Sequence, residues 1–407
     1  MKKKGIVIIV SVFMVAALMI TGSMAVVNYQ RAEANYQEAE LAYVRYEELL
    51  DDYNENEIAF ASNIYSLPLK YDDISFTCTE EYKKGFNPIV EISKPEDYVP
   101  VKIAKWTGDD YYLTIGTVGE YKACVPIIGK EGVVYQWKQT NFWDKAGIRG
   151  IFDVNVLDNS VMCLAQGYGA YEIDFDGNVI WKLPMQGLSH QVTLTPEGTL
   201  LVVRTNFDQV LEVTRDGDVV WEWDAREHIV DYNDDNYVNY SQPREHFFGN
   251  IYARAREKPP ENPPMWTHVN GLQKLDDGYL ISLRNLDLVL RTDFEGNTVS
   301  TFGALILKHQ HHPILLPDGN MIVYDNGNGR AVEFYPDGSV AWEYTELTAP
   351  AMGWIEKLWN GNYLFPDCWG GRILEVTPEG EIMKEILIPG GPIYQAKGFR
   401  ELPDGLR

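Results

Sequence analysis

Glycines recur at a nearly constant interval along this chain, each one preceded by an acidic residue and flanked by apolar runs. The intervals are 45, 40, 79, 42 and 42 residues, and the double interval contains a long insertion between Trp223 and Trp266. A period near forty with strands on both sides of a turn is typical of β-propeller blades, which must stack to bury both faces of each small sheet. The glycines are Gly132, Gly177, Gly217, Gly296, Gly338 and Gly380. We therefore expect an all-β, six-bladed β-propeller.

A second series of turns runs in phase with the first, so each blade has two of them. Asp-Gly and Asn-Gly pairs predict two-residue hairpin loops in which both central residues have positive φ. Short apolar runs such as TLLVVRT and NMIVYDN supply the strands between them. The series is Asn159, Gly198, Gly278, Gly319, Gly361 and Gly405. The segment 393–407 is expected to return and complete the first blade.

The N-terminus predicts export. Three lysines follow Met1, and the next 18 residues carry no charge, which is the lower limit for spanning a bilayer. Residues 1–25 are either a cleaved signal peptide or a retained signal anchor. Both outcomes place the rest of the chain outside the cytoplasmic membrane, in the periplasm or on the outer face. Residues 26–100 are expected to form a helical spacer with a small cap, and residues 101–407 the propeller with an insertion at 224–265.

Charge and cysteine content exclude several classes of function. The net charge of −24 argues against nucleic acid or an anionic membrane surface as a partner. The four cysteines have no zinc spacing, so we expect neither a metal nor a cofactor. Cys163 and Cys368 lie in apolar runs and are expected to be buried free thiols. The loop 325–329 is expected to be a turn, because it lacks the spaced ligands of a calcium loop.

Three of the seven histidines occupy similar places in the repeat. His190 and His311 each lie eight residues before a turn glycine of the second series, and His268 lies ten residues before one. Equivalent positions in successive blades point the same way, so the three should converge at one end of the propeller axis. A lone histidine here would more often be structural. The same slot holds Ile151, Gly353 and Lys397 in the remaining blades.

Two further polar residues accompany these histidines. Asn270 follows His268 by two residues, and Arg284 lies in an apolar run that we interpret as a strand, where a guanidinium is costly to bury unless it meets an anion. Imidazoles, a guanidinium and an amide around a funnel suit a tetrahedral oxyanion such as sulfate or phosphate. A neutral histidine can attack sulfur or phosphorus directly. The chain has no Walker loop and no HExxH motif.

The phrases SHQVTLTPEG, WTHVN followed by SLRN, and QHHPILLPDGNMIVYDNG resemble those of the bacterial arylsulfotransferases. The resemblance covers the chain from about Val101 onward. It implies an exported six-bladed propeller that moves a sulfuryl group from an aryl sulfate donor to a phenolic acceptor, by a ping-pong route through a sulfohistidine. It further implies His311 as the nucleophile, with His268, Asn270 and Arg284 holding the sulfonate oxygens. His190 would bind sulfonate or assist at the phenolic oxygen.

Several alternatives stay open. His309 and His312 flank His311 as rival nucleophiles, and the insertion is either a lid over the phenol or a solvated loop. Family members carry a larger N-terminal β-sandwich that helps dimer formation, whereas this region is short and helix-like, so a homodimer is undecided. The rival functions are a non-catalytic ligand- or protein-binding propeller, in which the histidines hold an anion or metal, and a propeller sulfate or phosphate ester hydrolase or phosphotransferase.

Overall fold

The computed structural model describes residues 86–117, 121–141, 150–228, 267–348, 352–390 and 392–406. The expected signal segment, most of the spacer, Cys78, and nearly all of the insertion lie outside these residues. No helix in the described ranges is long and apolar enough to cross a membrane. The described chain is all-β and propeller-like, with short helical turns between strands.

The strands are short and follow one another closely. A four-residue helix, α1 (Ala225–His228), follows the strand Val219–Asp224, and 3-10 turns span Pro95–Asp97, Thr205–Phe207, Arg284–Leu286, Asn326–Asn328 and Asp404–Leu406. In chain order the strands are β1 (Val90–Ile92), β2 (Lys102–Trp106), β3 (Tyr112–Thr117), β4 (Cys124–Gly129), β5 (Gly132–Gln139), β6 (Ile151–Val156), β7 (Ser160–Ala165), β8 (Gly169–Asp174), β9 (Val179–Pro184), β10 (Val192–Leu194), β11 (Leu200–Arg204), β12 (Gln209–Val213), β13 (Val219–Asp224), β14 (Val269–Leu275), β15 (Gly278–Leu283), β16 (Leu288–Thr292), β17 (Thr298–Phe302), β18 (His311–Leu315), β19 (Met321–Asp325), β20 (Arg330–Phe334), β21 (Val340–Tyr344), β22 (Glu356–Lys357), β23 (Tyr363–Asp367), β24 (Arg372–Val376), β25 (Ile382–Leu387) and β26 (Ile393–Phe399).

The strands pair antiparallel in sheets and groups, each of which we name by the strand at one of its ends. The β10 sheet (β10–β13), the β14 sheet (β14–β17) and the β18 sheet (β18–β21) each contain four strands in chain order. The β22 sheet has the order β2-β25-β24-β23-β22. A nine-stranded sheet joins the β26 group (β26, β3, β4, β5 and β1) to the β6 group (β6–β9). Among the described residues, the strand pairing between the two groups is that of Thr117 with Ile151.

The C-terminal strand returns to the beginning of the described chain, as the sequence predicts. β26 pairs with β3 from Ile393 opposite Thr117 to Phe399 opposite Tyr112. The PDG phrase near the C-terminus lies at the 3-10 turn Asp404–Leu406, where a Cβ added to Gly405 would lie 2.8 Å from the ring of Phe175. Strand β1, which the sequence assigns to the cap, pairs with the outer strand β5.

The hairpin prediction was wrong in its turn type. Gly177 is representative: its N–H donates to the carbonyl of Asp174 at 3.1 Å, and the Asp174 N–H donates to Asn178 at 3.0 Å. Gly177 has φ +89°, whereas no positive φ occurs at Asp176. Eight of the loops share this pattern, a type I turn followed by a left-handed glycine, which makes a three-residue connection whose bulge suits the twist of short strands. Their glycines are Gly177, Gly198, Gly217, Gly296, Gly319, Gly338, Gly361 and Gly380. Only one residue per turn needs to be glycine.

Neighbouring sheets are joined by a repeated contact around a buried glutamate. Glu212 of β12 accepts hydrogen bonds from Lys274 Nζ at 2.9 Å and Tyr279 Oη at 2.5 Å, both in the next sheet. Tyr279 also stacks on Trp221, with ring centroids 3.7 Å apart. Glu333, Lys357 and Tyr363 repeat this arrangement between the β18 and β22 sheets. Aromatic stacking and a satisfied buried carboxylate together fix the angle between sheets.

The described cysteines are buried free thiols. Cys124, Cys163 and Cys368 form no disulfide, and this confirms the prediction for the latter two. Burial raises the pKa of the Cys163 and Cys368 thiols above their ordinary value, so neither is activated for nucleophilic chemistry.

Candidate functional site

The structure brings the three in-phase histidines together. His190 lies two residues before β10, His268 immediately precedes β14, and His311 is the first residue of β18. The ring of His190 lies 5.2 Å from that of His268 and 5.9 Å from that of His311, centroid to centroid. The convergence predicted from sequence spacing is therefore correct for this set.

Irregular backbone aims these side chains. His190 has φ +64° and His268 has φ +48°, and the neighbours of His311, His309 and His312, have φ +50° and +48°. Residues other than glycine seldom adopt such values, and they cluster at functional sites because surrounding contacts must hold them. The first strands β6, β14, β18 and β26 also carry register shifts near their starts. Such bulges re-aim side chains next to active sites.

His311 presents one ring nitrogen to the site and keeps the other occupied. Its Nδ1 lies 2.8 Å from Asn326 Oδ1 and 3.1 Å from the carbonyl oxygen of His309. A carbonyl oxygen can only accept, so Nδ1 carries the proton and Nε2 carries the lone pair. Within the described chain no group forms a hydrogen bond with Nε2. Burial, with Arg284 nearby, lowers the pKa of His311 to about 3, so the imidazole is neutral at physiological pH.

His190 has the same tautomer for a related reason. Its Nδ1 lies 2.8 Å from Thr205 Oγ1 and 2.8 Å from Ser189 Oγ, a hydroxyl that can donate or accept. Thr205 donates its own hydroxyl proton to the carbonyl of Val269 at 2.8 Å, so it accepts from His190 Nδ1 and leaves Nε2 with a lone pair. Burial, followed by the electrostatic effects of His311 and Arg284, lowers the pKa of His190 well below its ordinary value.

Arg284 supplies the positive charge of the site. The interpretation of this residue as part of a strand was wrong, because β15 ends at Leu283 and Arg284 begins the following 3-10 turn. A turn lets the half-buried guanidinium approach the histidines rather than the apolar interior of the sheet. Its charge lowers the pKa of His311, His190 and His268, in each case after the larger effect of burial. The guanidinium therefore acts on all three imidazoles.

Asn270 lies beside the nucleophile candidate and contacts its backbone. Its Nδ2 donates to the carbonyl of Gln310, the residue before His311, at 2.9 Å. The Oδ1 atom is buried and has no hydrogen-bond partner among the described residues. One N–H of the amide is thus committed to positioning, and the second remains for a ligand.

His309 and His312, which flank His311, are each held by a contact of their own. The ring of His312 stacks on Trp354, with centroids 3.0 Å apart. Lys397 Nζ also lies over the Trp354 ring, 4.4 Å from its centroid. His309 is held through its backbone N–H, which donates to Asp287 at 2.7 Å. The ring of His311, by contrast, meets that of His190.

The slots without histidine have structural explanations. Ile151 is fully buried core. At Gly353 an added Cβ would lie 2.4 Å from the ring of Tyr324, so no side chain fits. Lys397 was placed in the slot wrongly, because β26 starts at Ile393. Lys397 instead forms an ion pair with Asp153 at 2.9 Å.

Sequence reasoning missed the residues that orient and enclose the histidines. Tyr394 lies with its ring 5.9 Å from that of His190 and 6.4 Å from that of His311, and it stacks on Phe152. Its hydroxyl is buried without a partner in the part of the chain that the structure describes. Thr205 and Asn326 each follow the second strand of their sheet. That shared position is a periodic signal that could have identified both.

No group of His, Cys, Asp and Glu in the described ranges could hold a metal ion. The chemistry available is that of neutral imidazoles, one guanidinium and two aromatic rings. His311 offers a nucleophilic nitrogen, Arg284 stabilises negative charge, and Phe152 and Tyr394 form an apolar wall. Such a site can bind a singly charged ester of an aromatic alcohol.

The comparisons with known proteins agree with this chemistry. The family model described as Arylsulfotransferase (ASST) matches residues 98–301, which include His190, His268, Asn270 and Arg284. No curated protein matches the chain significantly.

Among solved structures, a protein of unknown function from Bacteroides caccae is 15% identical, covers 72% of this chain and 100% of its own, and has a TM-score of 0.51. Virginiamycin B lyase from Staphylococcus aureus is 16% identical over 59% of this chain and 70% of its own, with a TM-score of 0.39. The WD40 β-propeller domain of Doa1 is 12% identical over 72% and 89%, with a TM-score of 0.42.

Proposed function

The chain belongs to the arylsulfotransferase family, and we propose that it moves a sulfuryl group from a phenolic sulfate ester to an acceptor phenol through a covalent intermediate on His311. The QHH phrase singles out His311 over His190 by its resemblance to the family, and one observation supports that choice: the protonated Nδ1 of His311 is held by two oxygen acceptors, so that Nε2 keeps a lone pair near Arg284. A neutral imidazole in this state is ready to attack without first losing a proton.

In the first half-reaction Nε2 of His311 attacks the sulfur atom of the donor. An N–S bond forms while the S–O bond to the aryl group breaks, and the electron pair of that bond leaves with the phenolate. The sulfonated ring carries positive charge, which the carbonyl of His309 and the amide oxygen of Asn326 stabilise through Nδ1–H. Arg284 offsets the negative charge on the sulfonate oxygens.

In the second half-reaction the acceptor phenol attacks the sulfur atom of the sulfohistidine. The N–S bond breaks, its electron pair returns to Nε2 of His311, and the phenolic proton must be removed. His190 is suited to this, because its Nε2 has a lone pair and its ring adjoins that of His311. His268, Arg284 and the second N–H of Asn270 bind the sulfonate oxygens, and Tyr394 and Phe152 flank the aryl ring.

The surrounding architecture completes the proposal. The β26 group, the β6 group and the β10, β14, β18 and β22 sheets form six blades, with β26 closing the ring. The pairing of β26 with β3 supports this closure. The uncharged segment after the N-terminal lysines supports export, with the enzyme outside the cytoplasmic membrane.

Turnover of an aryl sulfate tests the proposed function. We would measure release of nitrophenol from p-nitrophenyl sulfate by the full-length chain, with and without added phenol. The proposal predicts that phenol accelerates release and that His311→Ala abolishes it. His312→Ala, which removes a ring stacked on Trp354, is the matched control and should retain turnover.

Each rival function has its own outcome in this assay. Release at the same rate with and without phenol would indicate a hydrolase and would contradict the transferase. No release by the wild-type chain across a panel of aryl sulfates and phenols would contradict both enzymes and favour a binding propeller. Equal loss in His311→Ala and His312→Ala would contradict the assignment of the nucleophile.

A further inference from the structure

Three 3-10 turns carry residues of the site, and they lie on successive sheets. Each follows the second strand of its sheet and ends in a left-handed residue: Asp208 with φ +55°, Asp287 with φ +53° and Gly329 with φ +71°. The first residues of these turns, Thr205, Arg284 and Asn326, belong to the site described above. The last residues of the first two turns reach the next sheet.

Asp208 holds the backbone on which His268 stands. Its Oδ1 atom accepts hydrogen bonds from the Thr267 N–H at 2.7 Å, the Thr267 hydroxyl at 2.7 Å and the His268 N–H at 3.2 Å. The carboxylate is 2% exposed. Hydrogen bonds from backbone N–H groups to a buried carboxylate are strong and directional, so they fix the entry of the chain into β14.

Asp287 does the same one sheet further on. Its Oδ1 accepts from the N–H of His309 at 2.7 Å, and this side chain is also buried. The carbonyl of His309 is one of the two acceptors for Nδ1 of His311. A carboxylate on the β14 sheet therefore determines where the acceptor for the proposed nucleophile lies on the β18 sheet.

A left-handed backbone needs such support when the residue is not glycine. His268 and His309 both have positive φ, a conformation that the chain leaves when the contacts that hold it are removed. Aspartate at the end of the turn is itself in the left-handed region, where glycine would be easier. The turn that ends in Gly329 shows that glycine fits such a place. The carboxylates add what glycine could not, namely acceptors for the backbone N–H groups of His268 and His309.

From these contacts we propose that Asp208 and Asp287 are positioning residues for sulfuryl transfer. Each fixes the strained backbone of a histidine in the next sheet and so sets the distances between imidazoles of different sheets. The inference rests on the proposed function for its kinetic consequences. Neither carboxylate touches the substrate, and their effect acts through His268 and His309.

The β22 sheet offers a matched control. Asp367 accepts hydrogen bonds from the N–H of Thr348 at 2.8 Å and from its hydroxyl at 2.6 Å. This contact is similar to that between Asp208 and Thr267, although Asp367 also forms an ion pair with Arg372 at 2.8 Å. The corresponding slot before β22 holds Gly353 in place of a histidine. Substituting Asp367 should disturb the fold in the same way without moving a catalytic ring.

The experiment compares Asp208→Ala, Asp208→Asn and Asp367→Ala in the full-length chain. We would measure kcat and KM for p-nitrophenyl sulfate with phenol, and the melting temperature. Asp208→Ala should lower kcat about tenfold or more, because small misplacements of catalytic groups have effects of this size. KM should change little, since Arg284 remains. Asp208→Asn keeps an acceptor oxygen and should recover much of the rate.

Asp367→Ala should lower the melting temperature by at least as much, because it also breaks the ion pair with Arg372, while kcat stays within about twofold of wild type. Equal kcat losses in Asp208→Ala and Asp367→Ala, or no rescue by Asp208→Asn, would overturn the inference. Should Asp208→Ala fail to fold, Asp208→Asn is compared with Asp367→Asn instead. Asp208→Asn should then lower kcat, though by less than about tenfold, and Asp367→Asn should leave kcat unchanged.

A measurement without turnover separates this inference from the proposed function. The ¹⁵N signals of histidine side chains report ring environment in the free protein. Asp208→Asn should shift the His268 signals, and Asp367→Asn should not. That result upholds the positioning role even where the wild-type chain turns over no aryl sulfate, and unchanged His268 signals would overturn it.

Discussion

Lowering the pH should destabilise the protein through its buried histidines, and His311 gives the size of the effect. Burial and the charge of Arg284 lower the pKa of His311 to about 3, whereas an imidazole in the unfolded chain titrates near 6.5. As the pH falls below 6.5, the unfolded state gains a proton that the folded state does not bind. The free energy of unfolding therefore decreases until the pH approaches the pKa of the folded protein.

The magnitude follows from these two pKa values. Because His311 takes up its proton only in the unfolded chain, the free energy of unfolding is lower than at pH 7.5 by about 1.4 kcal/mol at pH 5.5 and about 2.6 kcal/mol at pH 4.5. His190 and His312 are buried as well, and their pKa values lie well below the ordinary one, so each adds a loss of the same sign. Glu356, whose pKa burial raises, acts in the opposite direction.

Comparison with His311→Gln isolates the contribution of one imidazole, because all other groups are common to both proteins. Urea denaturation of each protein at pH 7.5, 5.5 and 4.5 gives the free energy of unfolding. We expect the stability of wild type to fall more than that of His311→Gln, by the amounts given above. An equal fall in both proteins would refute the reasoning, since it would mean that folded His311 binds its proton near pH 6.5.

Three further predictions follow from the same contacts. Asn326→Ala removes the nearer acceptor for His311 Nδ1 and should lower kcat for nitrophenol release about tenfold, the effect of one hydrogen bond; an unchanged kcat would contradict this. The rate of the donor half-reaction, followed by stopped flow, should be flat from about pH 5 to 8, because His311 stays neutral there; a fall with a midpoint near 6.5 would contradict it. Lys384→Met leaves the Glu375 carboxylate buried without its cation (their side chains are 1% exposed) and should lower the free energy of unfolding by about 3 kcal/mol. Lys130→Met, in an exposed ion pair, is the control for denaturant unfolding and should change it by less than about 1 kcal/mol.

The propeller-like fold could be predicted because its signal is local and repeated. Each glycine at the end of a type I turn must adopt positive φ, so the turns leave a periodic mark in the sequence. The β26 group leaves no such mark at β26, because this group combines strands from both ends of the described chain. Counting back from Gly405 therefore placed Lys397 where Tyr394 lies, and the register of β26 on β3 corrects this.

The candidate site could be predicted in part. His190, His268 and His311 were identified because equivalent positions in successive sheets point to one funnel. The hydrogen-bond partners of their rings were not identified, because Thr205 and Asn326 approach from the end of the neighbouring strand. Bulges in the strands determine which side chains come into contact there. Contacts between sheets, such as that from Asp208 to His268, depend on how the sheets pack, and no local pattern encodes them.

Trapping of the covalent intermediate tests the central claim most directly. The full-length chain would be mixed with p-nitrophenyl sulfate without any phenol, quenched at alkaline pH, digested and analysed by mass spectrometry. The account predicts one added sulfuryl group per chain, located on His311, which disappears when phenol is added before the quench. A sulfuryl group on His190, His268 or another residue, or turnover with no sulfonated peptide, would contradict it.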